Sequence, residues 1–154
     1  MHNIMLVDNH PIAAEMMRIL LEYSGRFQVT HTFDSSYAAL AHAYTEKPDL
    51  LITDIDTPGL GGTELVMSLR KHGYKLPIVV VSAGDTRRTA ISAWSAGASG
   101  FVHKSVLFKE LTIAASLAVE GRTYFPDEVM SMMRPVREAA VLSSRDEWAC
   151  IAAP

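Results

Sequence analysis

The feature that most constrains the fold of this chain is a fivefold alternation between short apolar runs and stretches with helical spacing of apolar residues. The apolar runs predict strands, and the amphipathic segments that follow them predict helices. The predicted strands are 3–7, 27–32, 50–54, 76–82 and 99–104, and the predicted helices are 11–22, 36–45, 63–72, 87–96 and 107–120. This alternation predicts a parallel sheet covered by helices on both faces through right-handed crossovers.

The alternation ends at Gly121, which divides the chain into three predicted parts. Residues 3–121 form one α/β domain, and the 154-residue chain has length for only a short appendage beyond it. Residues 122–141 read as a linker in which Pro126 opens a short Met-rich helix and Pro135 ends it. Residues 142–154 are predicted to begin a further helical segment.

Charge and cysteine content exclude several classes of protein. The net charge of -3 and the pI near 6.0 provide no general attraction for nucleic acid. The single cysteine, Cys150, excludes an internal disulfide and fits a reducing compartment. No apolar run has the length to cross a bilayer, and the first residues lack the basic start of a signal peptide. We therefore expect a cytoplasmic protein that does not contact membranes.

Four predicted strands end in polar residues. Asp8 and Asn9 follow the first strand, and Asp54, Ser82 and Lys104 end the third, fourth and fifth strands. Because the carboxyl ends of parallel strands share one edge of the sheet, these side chains are expected to converge there. Asp54 ends a short, largely apolar run, so its charge must be partly solvated, paired or bound to a cation.

These residue types together suit phosphoryl transfer. The Asp54 carboxylate can attack phosphorus, while a divalent cation held by acidic groups neutralises the developing charge. Ser82 can donate a hydrogen bond to one phosphoryl oxygen, and Lys104 can pair with another. Taken singly, each residue has a plain alternative as a cap, a turn former or a solvated charge. The ordered set on one sheet edge is what favours function.

The chain resembles the receiver domain of bacterial two-component response regulators. The resemblance covers residues 3 to about 121 and rests on residues in the family's order and spacing: Asp8-Asn9, Asp54 followed by Pro58-Gly59, Ser82-Ala83 and Lys104. It implies a flavodoxin-like (CheY-like) fold with a five-stranded parallel sheet and a short C-terminal helical extension. Val7-Asp8-Asn9-His10-Pro11 further resembles the LuxR/NarL (FixJ) branch.

The resemblance implies roles for individual residues. Asp54 would accept a phosphoryl group from a sensor histidine kinase, so the domain would be a phospho-acceptor rather than an enzyme acting on other substrates. Mg²⁺ would be bound by Asp8, Asn9, Asp54 and the backbone carbonyl of Asp56. Ser82 would close on the phosphoryl group, Lys104 would pair with it, and Phe101 would follow Ser82 as the aromatic switch.

Asn9 is the main departure from the family pattern, because an Asp usually ligates Mg²⁺ at this position. An amide oxygen can still ligate the ion but carries no charge, so the affinity for Mg²⁺ should fall. The nearby carboxylate of Asp56 is a candidate to offset this loss. His10 and His103 flank the site, but their spacing indicates no separate metal cluster, and we interpret them as solvated or hydrogen-bonded side chains.

The tail carries a second resemblance. Leu142-Ser143-Ser144-Arg145-Asp146 is similar to the opening of the LuxR-type helix-turn-helix domain, but Pro154 comes before a recognition helix could form. A full-length protein would then be a transcription factor that contacts DNA through a domain largely missing from this chain. Formation of a homodimer stays open.

Two alternatives remain at this stage. The pair Asp8-Asn9 is here called the acidic corner. With Asn9 in place of the usual Asp there, the domain could be a degenerate receiver that acts as an interaction module without phosphorylation. Asp54-Ile55-Asp56-Thr57 also resembles the Asp-x-Asp-x-Thr signature of haloacid-dehalogenase-type phosphatases, with Asp54 as nucleophile and Asp56 as general acid/base. Against the phosphatase, the further acidic candidates Asp127 and Asp146 lie in the linker and tail.

Overall fold

The computed structural model describes residues 1–133 and confirms the alternation of strands and helices. The strands are β1 (His2–Val7), β2 (Phe27–Phe33), β3 (Leu50–Asp54), β4 (Ile78–Ser82) and β5 (Gly100–His103). The helices are α1 (Pro11–Tyr23), α2 (Ser36–Glu46), α3 (Gly62–Lys71), α4 (Thr86–Ala96) and α5 (Leu107–Val119). A single 3-10 turn (Lys104–Val106) joins β5 to α5.

All strand pairs in the sheet are parallel, and the strand order is β2-β1-β3-β4-β5. Every residue of β3 and β4 is buried. This explains why the two segments read as continuous apolar runs rather than alternating ones. The strand order places the end of β3 between the ends of β1 and β4, so Asp54 lies at the middle of the carboxyl edge.

Two hydrophobic layers cover the two faces of the sheet. Side chains alternate along each strand, so Ile4 and Leu6 of β1 face one layer while Met5 and Val7 face the other. The first layer includes residues of α1 and α5. The second includes residues of α2, α3 and α4. The helices thus pack on both faces, as the crossover rule predicts.

Two strands are shorter than predicted. β4 begins at Ile78 rather than Leu76, because Pro77 has no N–H to contribute to a ladder. Its carbonyl oxygen nevertheless accepts a hydrogen bond from the backbone N–H of Leu51 at 3.0 Å. β5 ends at His103, and Lys104 belongs to the following 3-10 turn. That turn directs the Lys104 side chain to the edge of the sheet, where its partners lie.

The start of the predicted linker docks on the free edge of β5. Tyr124 forms an isolated parallel bridge with Gly100, and its carbonyl oxygen accepts the N–H of Phe101 at 2.8 Å. A Cβ on Gly100 would lie 2.9 Å from that oxygen, so this position requires glycine. Residues 127–133, here called the connector helix, bury Val129 and Met133 against the α4 side of the core.

Replacing Val129 with Asp should lower the free energy of unfolding by about 3 kcal/mol, because it places an unpaired charge in the core. Val129 is 1% exposed. Urea denaturation of the 154-residue chain measures the change. The matched control is Met132→Asp on the same helix, where Met132 is 39% exposed. Equal effects of the two substitutions would contradict docking of the connector helix.

The remaining predictions for the C-terminal segment fall outside the described residues. These are the end of the Met-rich helix at Pro135, the rest of the 122–141 linker and the helix-turn-helix opening at 142–154. Among the helices of residues 1–133, none is both long and apolar enough to span a membrane.

Candidate functional site

The structure brings together three of the charged residues predicted at the strand ends. Lys104 Nζ lies 2.9 Å from Asp8 Oδ2 and 3.1 Å from Asp54 Oδ2. Both carboxylate side chains are buried, at 0% and 3% exposure, and Lys104 is the most open of the three at 16%. The buried charge of Asp54 is therefore paired with Lys104.

The two carboxylates strengthen the charge of Lys104. Burial alone would lower the pKa of the Lys104 ammonium, because a charged group is less stable away from water. The close contacts with the carboxylates of Asp8 and Asp54 outweigh burial, so the pKa is raised above its ordinary value. Lys104 is therefore a fixed positive charge at neutral pH, suited to pair with an anionic group bound at the same place.

His10 joins this cluster as an exposed, hydrogen-bonded side chain, as the sequence analysis expected. Its Nδ1 lies 2.9 Å from Asp8 Oδ1 and 3.6 Å from Asp54 Oδ2. Its backbone N–H also donates to Asp8 Oδ1 at 2.8 Å. Because a carboxylate oxygen can only accept, Nδ1 carries the proton in this contact. The signal in the sequence was its position between the acidic corner and Pro11, which begins α1.

The loop after β3 is shaped by close backbone packing. A Cβ on Gly62 would lie 2.5 Å from the carbonyl oxygen of Asp54, so only glycine lets α3 begin this close to β3. The N–H of Gly62 donates to the carbonyl oxygen of Ile55 at 2.8 Å. Thr57 Oγ1 closes the loop by donating to the carbonyl oxygen of Leu60 at 2.9 Å. The Asp56 side chain is exposed on this loop.

The two predicted switch residues are both buried. Ser82 ends β4 with no exposed surface, and its Oγ accepts the backbone N–H of Gly84 at 3.0 Å. Phe101 is 1% exposed and belongs to the same apolar cluster as Phe125 and Val129 of the C-terminal segment. Phe101 thus packs in the same apolar cluster as the segment that docks on β5.

The donor set at the sheet edge fits a hard divalent cation. The Asp8, His10 and Asp54 ligand atoms lie within 4.8 Å of one another, and two of these three side chains are buried carboxylates. Carboxylate, amide and carbonyl oxygens are the ligands that Mg²⁺ and Ca²⁺ prefer. Asn9 is exposed beside this cluster and Asp56 is exposed on the facing loop. Both are open to solvent at the mouth of the site.

An open cleft of about 550 Å³ leads to the charged cluster. Its walls include His10 and Lys104 from the cluster, together with the apolar side chains of Ile12, Ala83 and Leu107. Ala83, which follows the buried Ser82, contributes a small and exposed side chain to this wall. Ile12 is 80% exposed, so the apolar part of the cleft continues onto the outer surface of α1.

Comparison with known proteins gives a consistent result. Residues 4–116 match the family described as the response regulator receiver domain. The chain is 33% identical over 133 residues to the virulence transcription regulator BvgA of Bordetella pertussis, covering 86% of this chain and 63% of BvgA. It is 32% identical over 124 residues to the DNA-binding transcriptional activator EvgA of Escherichia coli K12, covering 80% of this chain and 60% of EvgA. The chain thus spans about three-fifths of the length of these relatives.

Solved structures agree with the sequence matches. A LuxR-family two-component response regulator from Aurantimonas sp. SI85-9A1 superposes with a TM-score of 0.78 at 29% identity, covering 88% of this chain and 97% of that one. The signal receiver domain of NarL from Mycobacterium tuberculosis superposes with a TM-score of 0.74 at 26% identity, covering 79% and 98%. Together with the paired Asp8, Asp54 and Lys104, these matches establish that the chain belongs to the response regulator receiver family, in its LuxR/NarL branch.

Proposed function

We propose that this domain is a phosphorylation-controlled signalling switch in which Asp54 accepts a phosphoryl group from a phosphorylated histidine of a sensor kinase. The observation that carries the proposal is the contact of Lys104 Nζ with both Asp8 and Asp54, beside an open cleft that Lys104 lines. A nucleophilic carboxylate, a fixed cation and a route for a donor side chain meet at one place. Phosphoryl transfer needs these three components.

The transfer follows from the positions of the groups. One Asp54 carboxylate oxygen attacks phosphorus, and the bond between phosphorus and the imidazole nitrogen of the donor breaks. The products are an acyl phosphate on Asp54 and a histidine whose released nitrogen lone pair takes a proton from water. Lys104, freed from part of its contact with Asp54, can pair with a phosphoryl oxygen. Ser82 can donate its hydroxyl hydrogen to another oxygen.

We assign the Mg²⁺ ligands to Asp8, Asn9, Asp54 and the backbone carbonyl of Asp56. When bound, the ion would neutralise the negative charge of the phosphoryl oxygens as the nucleophile approaches. The support comes from the buried carboxylates of Asp8 and Asp54 at the sheet edge, where the third member of the cluster, His10, offers a ring nitrogen. Only Asp8 and Asp54 contribute full charges, because Asn9 ligates through an amide.

Replacing Asn9 with Asp should strengthen Mg²⁺ binding by about tenfold, because a unit negative charge a few ångströms from a divalent ion adds roughly 1–2 kcal/mol even at high dielectric. Isothermal titration calorimetry with MgCl₂ measures the change. Asp56→Ala in the same titration tests whether that exposed carboxylate offsets Asn9. Unchanged affinity in Asn9→Asp would remove Asn9 from the ligand set, and unchanged affinity in Asp56→Ala would remove the compensating role of Asp56.

The output of the switch is inferred from the relatives. BvgA and EvgA are named as transcription regulators, and this chain corresponds to about three-fifths of each. We infer that the domain controls transcription as the signalling part of a longer cytoplasmic protein that contacts DNA through a helix-turn-helix domain. The α4, β5 and α5 surface would change on phosphorylation and report the state, through a homodimer or through the attached domain.

The direct test is the intact mass of the 154-residue chain after incubation with acetyl phosphate, with Mg²⁺ or with a chelator. We expect a single phosphoryl adduct that requires Mg²⁺. No adduct at high Mg²⁺ concentration, in either the natural chain or Asn9→Asp, would overturn the proposal.

That negative result would favour the second candidate, an interaction module that works without phosphate. The observation in favour of this candidate is Asn9, which removes one negative charge from the acidic corner. Rescue of the adduct by Asn9→Asp alone would place the defect in the metal site and leave the phosphoryl chemistry intact. The haloacid-dehalogenase alternative loses its support, because residues 4–116 match the receiver family.

A further inference from the structure

The loop between β4 and α4 is held by hydrogen bonds on both sides of Gly84. The Gly84 N–H donates to Ser82 Oγ at 3.0 Å, and the Gly84 carbonyl oxygen lies 3.0 Å from His103 Nε2. Ser82 and His103 are also register partners in the pairing of β4 with β5. The loop that follows Ser82 is therefore tied to the end of the neighbouring strand, one residue before Lys104.

The other contacts of His103 determine which ring nitrogen carries its proton. His103 Nδ1 lies 3.1 Å from the backbone nitrogen of Ser105 and 2.7 Å from Ser105 Oγ. A backbone N–H can only donate, so Nδ1 must accept and carries no proton. The single proton of the neutral ring is then on Nε2, which faces the Gly84 carbonyl oxygen, an obligatory acceptor. Ser105 thus selects the tautomer that can hold Gly84.

This arrangement orients the Ser82 hydroxyl. A serine hydroxyl has one hydrogen and two lone pairs, and the Gly84 N–H occupies one lone pair. The hydroxyl hydrogen is not used in that bond and stays available for an anionic acceptor. Ser82 is fully buried, and the bond from the Gly84 N–H holds its Oγ in the observed position. Fixing Gly84 therefore fixes the direction in which Ser82 can donate.

We propose that His103 is a positioning residue for phosphoryl binding at Asp54. By holding the Gly84 carbonyl, it preorganises the loop that aims Ser82 at the phosphoryl group. The end of β5 then supplies two components: Lys104, which contacts the carboxylates directly, and His103, which acts through Gly84 and Ser82. The role rests on the proposed phosphorylation of Asp54. The sequence indicated only that His103 is a solvated or hydrogen-bonded side chain, and its contact with Gly84 became visible in the structure.

Three substitutions separate the two functions of the ring. His103→Gln keeps a donor long enough to reach Gly84, His103→Asn keeps only an acceptor near Ser105, and His103→Leu keeps neither. The readout is the affinity for beryllium trifluoride, a phosphoryl analogue, in the presence of Mg²⁺. We expect His103→Leu and His103→Asn to weaken binding by about two- to tenfold, which is the range of one net hydrogen bond. His103→Gln should keep an affinity close to that of the natural chain.

A background lacking the hydroxyl tests whether His103 acts through Ser82. In Ser82→Ala, the further change His103→Leu should leave beryllium trifluoride affinity unchanged, because the group that His103 positions is gone. A merely structural role would lower affinity equally in both backgrounds, and that result would overturn the proposal. Equal losses of affinity in His103→Gln and His103→Leu, or no loss in His103→Leu, would also overturn the proposal. Thermal unfolding of each variant confirms that it is folded.

The tautomer supplies a readout that does not depend on phosphoryl binding. Long-range ¹H–¹⁵N correlation spectra of the imidazole should show His103 protonated at Nε2 and unprotonated at Nδ1. Protonation at Nδ1 would overturn the inference even if beryllium trifluoride binds. Failure of the natural chain and of Asn9→Asp to bind the analogue would instead overturn the proposed function, and with it the role of His103. The two failures are therefore distinguishable.

Discussion

Replacing Asp54 with Asn should abolish the phosphoryl adduct formed from acetyl phosphate. The amide nitrogen and oxygen of Asn are far weaker nucleophiles than a carboxylate, and the substitution also removes one of the two buried charges that would hold Mg²⁺. We expect a loss of at least about a hundredfold in the rate of adduct formation, since a nucleophile is removed rather than misplaced. Intact-mass measurement over time quantifies the loss.

Asp56→Asn is the matched control for this experiment. Asp56 lies two residues further along the same loop but is exposed to solvent, whereas Asp54 is buried beside Lys104. The substitution keeps the backbone carbonyl that is assigned to the ion, so the adduct should remain when Mg²⁺ is saturating. Peptide mapping should locate the phosphoryl group on Asp54. Loss of the adduct in Asp56→Asn but not in Asp54→Asn would contradict the assignment of the phospho-acceptor.

Replacing Lys104 with Gln should lower the free energy of unfolding by about 3 kcal/mol when no divalent cation is present. The substitution leaves the buried carboxylates of Asp8 and Asp54 facing each other without a compensating cation, and uncompensated buried charge is among the costliest defects in a protein. Urea denaturation in the presence of a chelator measures the loss. The effect should shrink when Mg²⁺ is added, because a bound cation restores the charge balance.

A double-mutant cycle measures the coupling free energy between Lys104 and Asp54. Adding Asp54→Asn to Lys104→Gln should recover part of the lost stability, with a coupling free energy of about 1–3 kcal/mol. Arg18→Gln provides the surface control, because Arg18 pairs with Glu15 and Glu22 on the exposed side of α1. That substitution should cost less than about 1 kcal/mol. Similar losses for Lys104→Gln and Arg18→Gln would show that the buried cluster contributes no more than a surface pair.

The pH dependence of the Lys104 contribution has a definite sign. The pKa of Lys104 is raised above its ordinary value of 10.5 by Asp8 and Asp54. A raised pKa in the folded state means that the stabilisation is fully present below the ordinary pKa and is lost as pH rises through the higher, folded-state value. As pH rises from neutrality, the stability difference between the natural chain and Lys104→Gln should therefore stay constant and then decrease in strongly alkaline solution, where Lys104 loses its proton.

The sequence by itself determined the order of strands and helices and the edge on which the polar residues meet. Largely apolar runs such as β3 and β4 are stable where both faces are covered, and parallel strands bring their carboxyl ends to one edge. Asp54, Ser82 and Lys104 could therefore be selected as candidates before any distance was known. Their roles in phosphoryl transfer stay predictions that the experiments above test.

Only the tertiary structure decided which side chains contact one another at that edge. His10 reaches both carboxylates because α1 begins immediately after the acidic corner, and His103 reaches Gly84 because β5 lies beside β4. The docking of Tyr124 on β5 and of Val129 on the α4 side of the core could not be predicted either, because the composition of residues 122–141 indicated a linker. Periodicity reports which face of an element is buried, whereas contacts of a few ångströms depend on register, loop path and rotamer, which residues distant in sequence set together.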